Sequence, residues 1–424
     1  MSRVLVAFVV AASTSLVAAS QITFEQTTAD LKSPNADVRL RAVELLKDAA
    51  YPEAAVPLAA VITDLDTDVQ LEAIAAELNI FLAEKVVSRK RVGLVIEVRN
   101  KVEAAGAFSA GPFALGPRPV PMEALTALRA AAHSENPRVA LEAIYAFGTL
   151  AVDPVGTSRR ELLHAAGPDL AAIVGSPDEN LCLATVRVIG RVFARRSQDE
   201  VVEPVVGDAI VTALNDKDND VRASALDALG AMRYDRALQA VTDLFQFYGH
   251  GAGAEAALDA VAHIAHRSSA ELFLKQLASK DPMLKVSAIE GLARLGDPAR
   301  ATGIQTSLSG ERNDRVLLAG RFSAVLLSQG SVDSIVEDLT RAKLHDQALQ
   351  YLIELAPGRT SLYARSAQDP DARLRFDIAD ILGLSGEAAA LPIVEPLMHD
   401  SDSQVARAAE RAVARLRAAI RRSS

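Results

Sequence analysis

No tryptophan occurs in this chain of 424 residues, and aromatic residues make up only 4% of it. Large rings supply much of the buried area in an ordinary globular core. Without them the interior must be filled by the Ala, Leu and Val that dominate here, which suits short helices packed closely through small residues. The single cysteine, Cys182, excludes an internal disulfide. It lies in the apolar stretch Leu181-Cys-Leu-Ala-Thr-Val186 with nothing nearby to lower its pKa, so it reads as a small core residue and not a nucleophile. Positive charge is in deficit, with 45 Lys plus Arg against 54 Asp plus Glu and a net charge of -9. A phosphate backbone is held by clustered cations, so this balance argues against general nucleic-acid binding.

Recognisable catalytic motifs are missing too. There is no nucleophile elbow, phosphate-binding loop, dinucleotide fingerprint or zinc-protease helix motif. Gly249-His-Gly-Ala-Gly253 lacks a following Lys-Ser/Thr pair and reads as a bend. Asp216-Lys-Asp-Asn-Asp220 lacks the Gly and closing Glu of a calcium loop and reads as a polar turn between repeats. His263 and His266, three apart on an expected helix with His250 upstream, have no paired cysteine or carboxylate motif, so they read as polar helix surface. The sequence therefore predicts no catalytic residue, no metal and no cofactor.

What is present, first, is an N-terminal segment with the form of a secretory signal. Arg3 supplies positive charge, Val4 to Val17 is apolar, and Ala18-Ala-Ser20 offers small residues for cleavage. The run falls short of the roughly 20 apolar residues needed to span a bilayer. Export to a periplasmic or external space after cleavage is the expectation, the alternative being an uncleaved membrane anchor.

Second, and dominant, is a repeat of about 31 residues. Ala225-Leu-Asp-Ala-Leu229, Ala257-Leu-Asp-Ala-Val261 and Ala288-Ile-Glu-Gly-Leu292 are 32 and 31 residues apart. The small position recurs at Ala42, Ala73, Ala143, Thr185, Ala225, Ala257, Ala288, Gly320, Ala348, Ile378 and Ala409. Four residues later stand Leu46, Glu77, Phe147, Ile189, Leu229, Val261, Leu292, Ala324, Leu352, Leu382 and Val413. Residues four apart share a helix face, so a small residue followed by a larger apolar one is what each level of a helix stack needs. Glu77 breaks the pattern, and Ile74, Leu78 and Leu82 are expected to carry the buried face there. Ser33-Pro34, Asn136-Pro137, Ser176-Pro177, Asp281-Pro282 and Asp369-Pro370 mark helix starts. Gly230, Gly296 and Gly386, with Tyr51-Pro52 and Asp297-Pro298, mark bends within the units.

The segments Asp37-Val-Arg-Leu-Arg-Ala42, Asp220-Val-Arg-Ala-Ser-Ala225 and Ala228-Leu-Gly230 resemble HEAT repeats, especially the short bacterial type also found in phycobilin lyase subunits. The resemblance covers about residues 30 to 84 and 122 to 420. It implies that Asp37 and Arg39, Asp220 and Arg222, and Arg375 are scaffold residues tying neighbouring repeats. Gly320 and the 28-residue interval after it depart from the pattern and point to a distorted unit.

One interval, from Ala73 to Ala143, is 70 residues long. Residues 85–121 read as an irregular insertion, in which Val92 to Val98 suits a helix or a strand, and Ala104 to Pro121 holds too much Gly and Pro for either and reads as a loop. Phe108, Phe113, Leu115 and Arg118 could anchor a partner there, or the two rings could fold back over the groove between helix pairs. The last helix, Gln404 to Arg422, places Arg407, Arg411 and Arg415 on one ridge opposite Val405, Ala409, Val413, Leu416 and Ile420. That ridge suits a solvated terminal cap, with an anionic partner or membrane headgroups as its alternative.

The prediction is thus an all-α protein, a right-handed α-solenoid of about ten to eleven HEAT-like helix pairs after a signal peptide at 1–20, with repeats at 21–84 and 122–424. It is expected to act as an exported, monomeric, non-catalytic scaffold that binds a protein partner through its concave face, alone or together with the 104–121 loop. An enzyme-associated or lyase-like subunit is the alternative.

Overall fold

The computed structural model describes residues 23–82, 104–109, 115–116, 118, 120–151, 159–196, 200–327 and 330–423. The proposed signal, Val92 to Val98 and Phe113 lie outside them. Across the described residues run 22 α-helices with short 3-10 turns between them. Among them the extended pairing is one isolated bridge, Leu82 with Leu115, and no helix is long and apolar enough to cross a membrane.

The helices group into eleven pairs. Ala104–Ser109 stands outside them, and in all but the pair Arg159–Val174 with Glu179–Val192 a short first helix or set of 3-10 turns is followed by a longer second helix. The second helices are Ala36–Ala49, Thr67–Phe81, Pro137–Leu150, Glu179–Val192, Asn219–Met232, Ala252–Ile264, Pro282–Arg294, Asp314–Leu326, His345–Leu355, Ala372–Leu384 and Ser403–Ser423. Successive second helices stack on one another along the chain. The result is the α-solenoid that the 31-residue period predicts.

Packing follows the sequence columns closely. Every second helix carries one member of the small column, and all eleven are buried. The larger column four residues on is buried as well, except for half-buried Ala324. Each fully buried Leu, Val, Ile or Phe contributes about 1.5–3 kcal/mol, and the apolar stripe repeats at every level. Glu77 corrects an expectation. Ile74 and Leu78 are buried beside it and not in its place, because the helical period holds position 77 inside whatever its side chain. Both Glu77 carboxylate oxygens are buried without a hydrogen-bond partner, and burial pushes the carboxyl well above its ordinary pKa.

Capping follows one recipe. Asn136 and Asp281 cap helices that start at Pro137 and Pro282, as the sequence predicts. At Ser33, Ser176 and Asp369 the cap lies two residues later, on Asn35, Asp178 and Asp371. The earlier residue instead accepts the backbone N–H of the cap at 2.9–3.2 Å, which adds a turn before the helix. Gly296 and Gly386 do sit at bends with φ +70. Gly230 does not: it is inside its helix, and Arg233 takes the left-handed turn.

A ladder of ion pairs ties levels together. Arg39 turns Nε and Nη2 onto Asp64, both at 2.7 Å, and Arg375 does the same to Asp400, both at 2.7 Å. Lys285 reaches Glu311 at 2.8 Å. Arg222 departs from the implied role and donates to its own repeat, to the carbonyls of Asp216 and Lys217. The next second helix begins after Gly249-His-Gly251, which offers no carboxylate at the matching place. Asp37 and Asp220 stay exposed in the first turn, where they complement the helix dipole.

The insertion is less loop-like than its composition predicts. Ala104–Ser109 is a helix packed on Pro137–Leu150, and the Ala104 N–H donates to Glu142 at 2.8 Å. Three alanines in six residues outweigh Gly106 once that face has a helix to bury against.

Candidate functional site

Successive second helices pack more closely on one another than first helices do, except at His345–Leu355, and in a stack of repeats closer approach on one side puts that side on the inside of the curve. The inner wall is read by counting two and six residues past the small column. The first count gives Tyr145, Arg187, Asp227, Asp259, Glu290 and Phe322, and the second gives Arg191, Ala231, His263, Arg294 and, two levels on, Glu354. These positions, polar apart from Ala231 and Phe322, form a spine along the groove. Sequence reasoning missed it, although the aligned columns contained the signal: positions that carry charge at consecutive levels beside a buried column.

At its centre the spine is a closed ionic cluster. Arg294, almost wholly buried, donates Nε to Glu354 Oε1 at 2.9 Å, Nη2 to Oε2 at 3.0 Å, and Nη1 to Glu290 at 2.9 Å. The other Glu290 oxygen accepts the Tyr351 hydroxyl. Tyr351 stacks on Phe322 at 4.3 Å, and the guanidinium of Arg294 lies over that same ring. Burial pulls the Arg294 pKa down, but Glu290 and Glu354 outweigh it and hold it above its ordinary value. Glu354 is held low by Arg294 against the effect of its own burial. Burial and Glu290 push the Tyr351 hydroxyl well up, so it stays protonated as a donor.

His263 and His266 do not share a helix, because Ala265 turns left-handed between them. His266 caps a 3-10 turn, while His263 joins the spine at 3.4 Å from Asp259. Burial and Arg294 lower the His263 pKa, Asp259 and Glu290 raise it, and the net direction is up. Donor atoms of Asp259, His263 and Glu290 lie within 4.8 Å of one another. Both Glu290 oxygens are already engaged by Arg294 and Tyr351, however, and the Arg294 charge beside them opposes a cation.

Upstream, the spine meets the insertion. Phe108 packs its ring on Tyr145 at 5.3 Å, while the Arg191 guanidinium lies 4.7 Å over that ring and donates Nη1 to the Phe108 carbonyl. A cavity of about 420 Å³ opens here, lined by Phe108, Arg187, Arg191, Asp220, Ser224 and Asp227 among others. Of the other insertion candidates, Leu115 is buried against the sheet-like bridge to Leu82. Arg118 donates to the carbonyls of Ile80 and Ala50, closing the ends of two second helices. These two residues cover the stack, while Phe108 faces the groove.

The C-terminal arginines are not one solvent ridge. Arg407 is exposed and Arg415 half-buried, but Arg411 is buried, 3.8 Å from Asp380 and over the Phe376 ring. Arg411 and Arg415 occupy the same two positions past the small column as the spine and continue the inner wall. A second cavity, about 740 Å³, lies at the starts of the last three second helices, where His345 contacts Asp377 at 3.1 Å.

Residues 167–246 match a family model described as HEAT repeats. No curated protein matches the chain. Among solved structures, an engineered protein from a structural genomics consortium is 17% identical, with 93% of this chain and 98% of that chain covered and a TM-score of 0.42. A second engineered protein from such a consortium is 18% identical, covering 64% of this chain and 95% of that one at a TM-score of 0.36. A structure reported for a phosphorylation switch controlling the interaction between cadherin and beta-catenin is 14% identical, covering 93% and 91% at a TM-score of 0.43.

Proposed function

From a chain built of HEAT-like repeats, we propose an exported scaffold that binds a protein partner along its inner wall, with Phe108 of the insertion at one end of the contact. The observation that carries this reading is the polar spine from Arg187 to Glu354. It carries charges of both signs, Arg187 and Arg191 at one end and then Asp227, Asp259, Glu290, Arg294 and Glu354, with Asp259–His263 and Glu290–Arg294–Glu354 held in place by one another. Such a surface reads the charges of a polypeptide by complementarity and orients it. The spine brings together no nucleophile with a base, which supports binding over catalysis. Export rests on the Met1 to Ser20 sequence, and a mature N-terminus near Gln21, read by mass spectrometry, tests it.

Binding is tested by placing the photocrosslinker p-benzoylphenylalanine at Asp227 on the inner wall and at Gln239 on a first helix, in the native host. The reading expects crosslinked partner from position 227 and none from 239. Crosslinks from 239 alone would overturn it.

A further inference from the structure

We propose that Arg191, backed by Arg187, receives the carboxylate of an Asp or Glu side chain from the bound partner at the Phe108 end of the inner wall. This deepens the scaffold reading and rests on it.

Arg191 is held in place from one side only. Its Nη1 donates to the Phe108 carbonyl and its plane lies on the Phe108 ring. Its Nε and Nη2 are buried and have no hydrogen-bond partner among the described residues. Those two N–H groups are the parallel pair that matches the two oxygens of a carboxylate. The chain shows what this edge does elsewhere: Arg39, Arg294 and Arg375 each turn Nε and Nη2 onto one carboxylate group. Among the described residues Arg191 has no such acid of its own. Burial pulls it down to about 10, and no carboxylate among the described residues holds it up. Yet it lines a cavity of about 420 Å³ together with Arg187. A buried guanidinium without a counter-ion costs stability, which is the usual mark of a group kept for binding. Asp220 and Asp227 on the same cavity would repel a phosphate dianion more than a carboxylate, which selects the ligand class.

The test uses three pools of fluorescein-labelled nonapeptides on the full chain. One is amidated with a fixed central Glu, one is amidated with Gln there, and one has a free C-terminus and no acidic side chain. The Glu pool should bind preferentially, and Arg191→Gln and Arg191→Lys should each weaken it on the order of 10- to 100-fold, the lysine because it keeps the charge and loses the fork. Arg191→Met should raise the Tm of the free protein, whereas an arginine needed only for the fold would lower it. Equal binding of the Glu and Gln pools, preference for the free C-terminus, no binding of any pool, or an unaffected lysine variant would each overturn the assignment. A partner crosslinked at position 227 whose capture ignores Arg191 would also overturn it, while leaving the scaffold reading standing.

Discussion

Arg294 holds Glu354 on the second helix two levels further along, 60 residues away in sequence, at 2.9 and 3.0 Å. The helix between them, Asp314–Leu326, contributes the Phe322 ring beneath the bridge. One guanidinium thus spans three levels of the stack and pairs with two carboxylates, buried Glu290 and half-buried Glu354.

Replacing Arg294 by Met leaves Glu290 without its cation and Glu354 with only Arg233, at 3.7 Å. Removing one partner of a buried pair costs about 3–5 kcal/mol, so urea unfolding should show a loss of that order. Adding Glu354→Leu to the same chain should recover part of it, a non-additivity that a double-mutant cycle would read.

Glu77 makes the opposite case. Its carboxyl is buried, unpartnered and held well above its ordinary pKa by burial. Glu77→Leu should therefore stabilise the protein at neutral pH by about 1–3 kcal/mol. The sign with pH follows from the raised folded-state value. The stability is fully present below the unfolded carboxyl pKa, where both states are protonated, and is lost as pH rises through the folded-state value. Urea midpoints of wild type and variant should converge near pH 4 and separate by pH 8, and a gap that narrows with rising pH would contradict this.

Close approach of the last two levels depends on Gly383, where an added Cβ would lie 2.6 Å from the Ala412 Cβ and 2.8 Å from its Cα. Backbone cannot yield as a side chain can, so Gly383→Ala should cost about 1–3 kcal/mol. Gly303, in the helix Ala301–Ser307, has nothing within 4 Å. There the same change should stabilise by about 0.5–1 kcal/mol through helix propensity, and Tm values of the two variants should move in opposite directions.

Arg375 and Arg222 occupy equivalent places and both donate to carbonyls of their own level, but Arg375 alone adds a carboxylate of the next level, Asp400. Arg375→Gln should lose stability that added salt already diminishes in the wild type, while Arg222→Gln should be insensitive to salt. Melting both in low and high salt distinguishes them.

The fold was legible in the sequence because its period is physical. A small residue with a larger apolar one four positions later must recur wherever a second helix stacks, and from Ala42 to Ala409 ten of the eleven levels do so, Glu77 being the exception. Cap positions were legible only to within two residues, since Ser33 and Asn35 are both good caps and the turn before the helix decides between them. The polar spine was not found, because a charged residue beside a buried column looks like ordinary solvated helix until curvature turns that face inward. Arg411 was misplaced for the same reason: helical spacing put it on a ridge with Arg407 and gave no account of which side the preceding helix covers.

The account stands on each helix pair taking its cover from the pairs beside it, and native-state hydrogen exchange on the full chain carrying Ala257→Asp tests this most directly. A charge in that fully buried site should remove protection from Ala252–Ile264 and from the adjoining Asn219–Met232 and Pro282–Arg294, and spare Ala36–Ala49 and Ser403–Ser423. Uniform loss of protection from end to end, or loss confined to the altered helix, would contradict it.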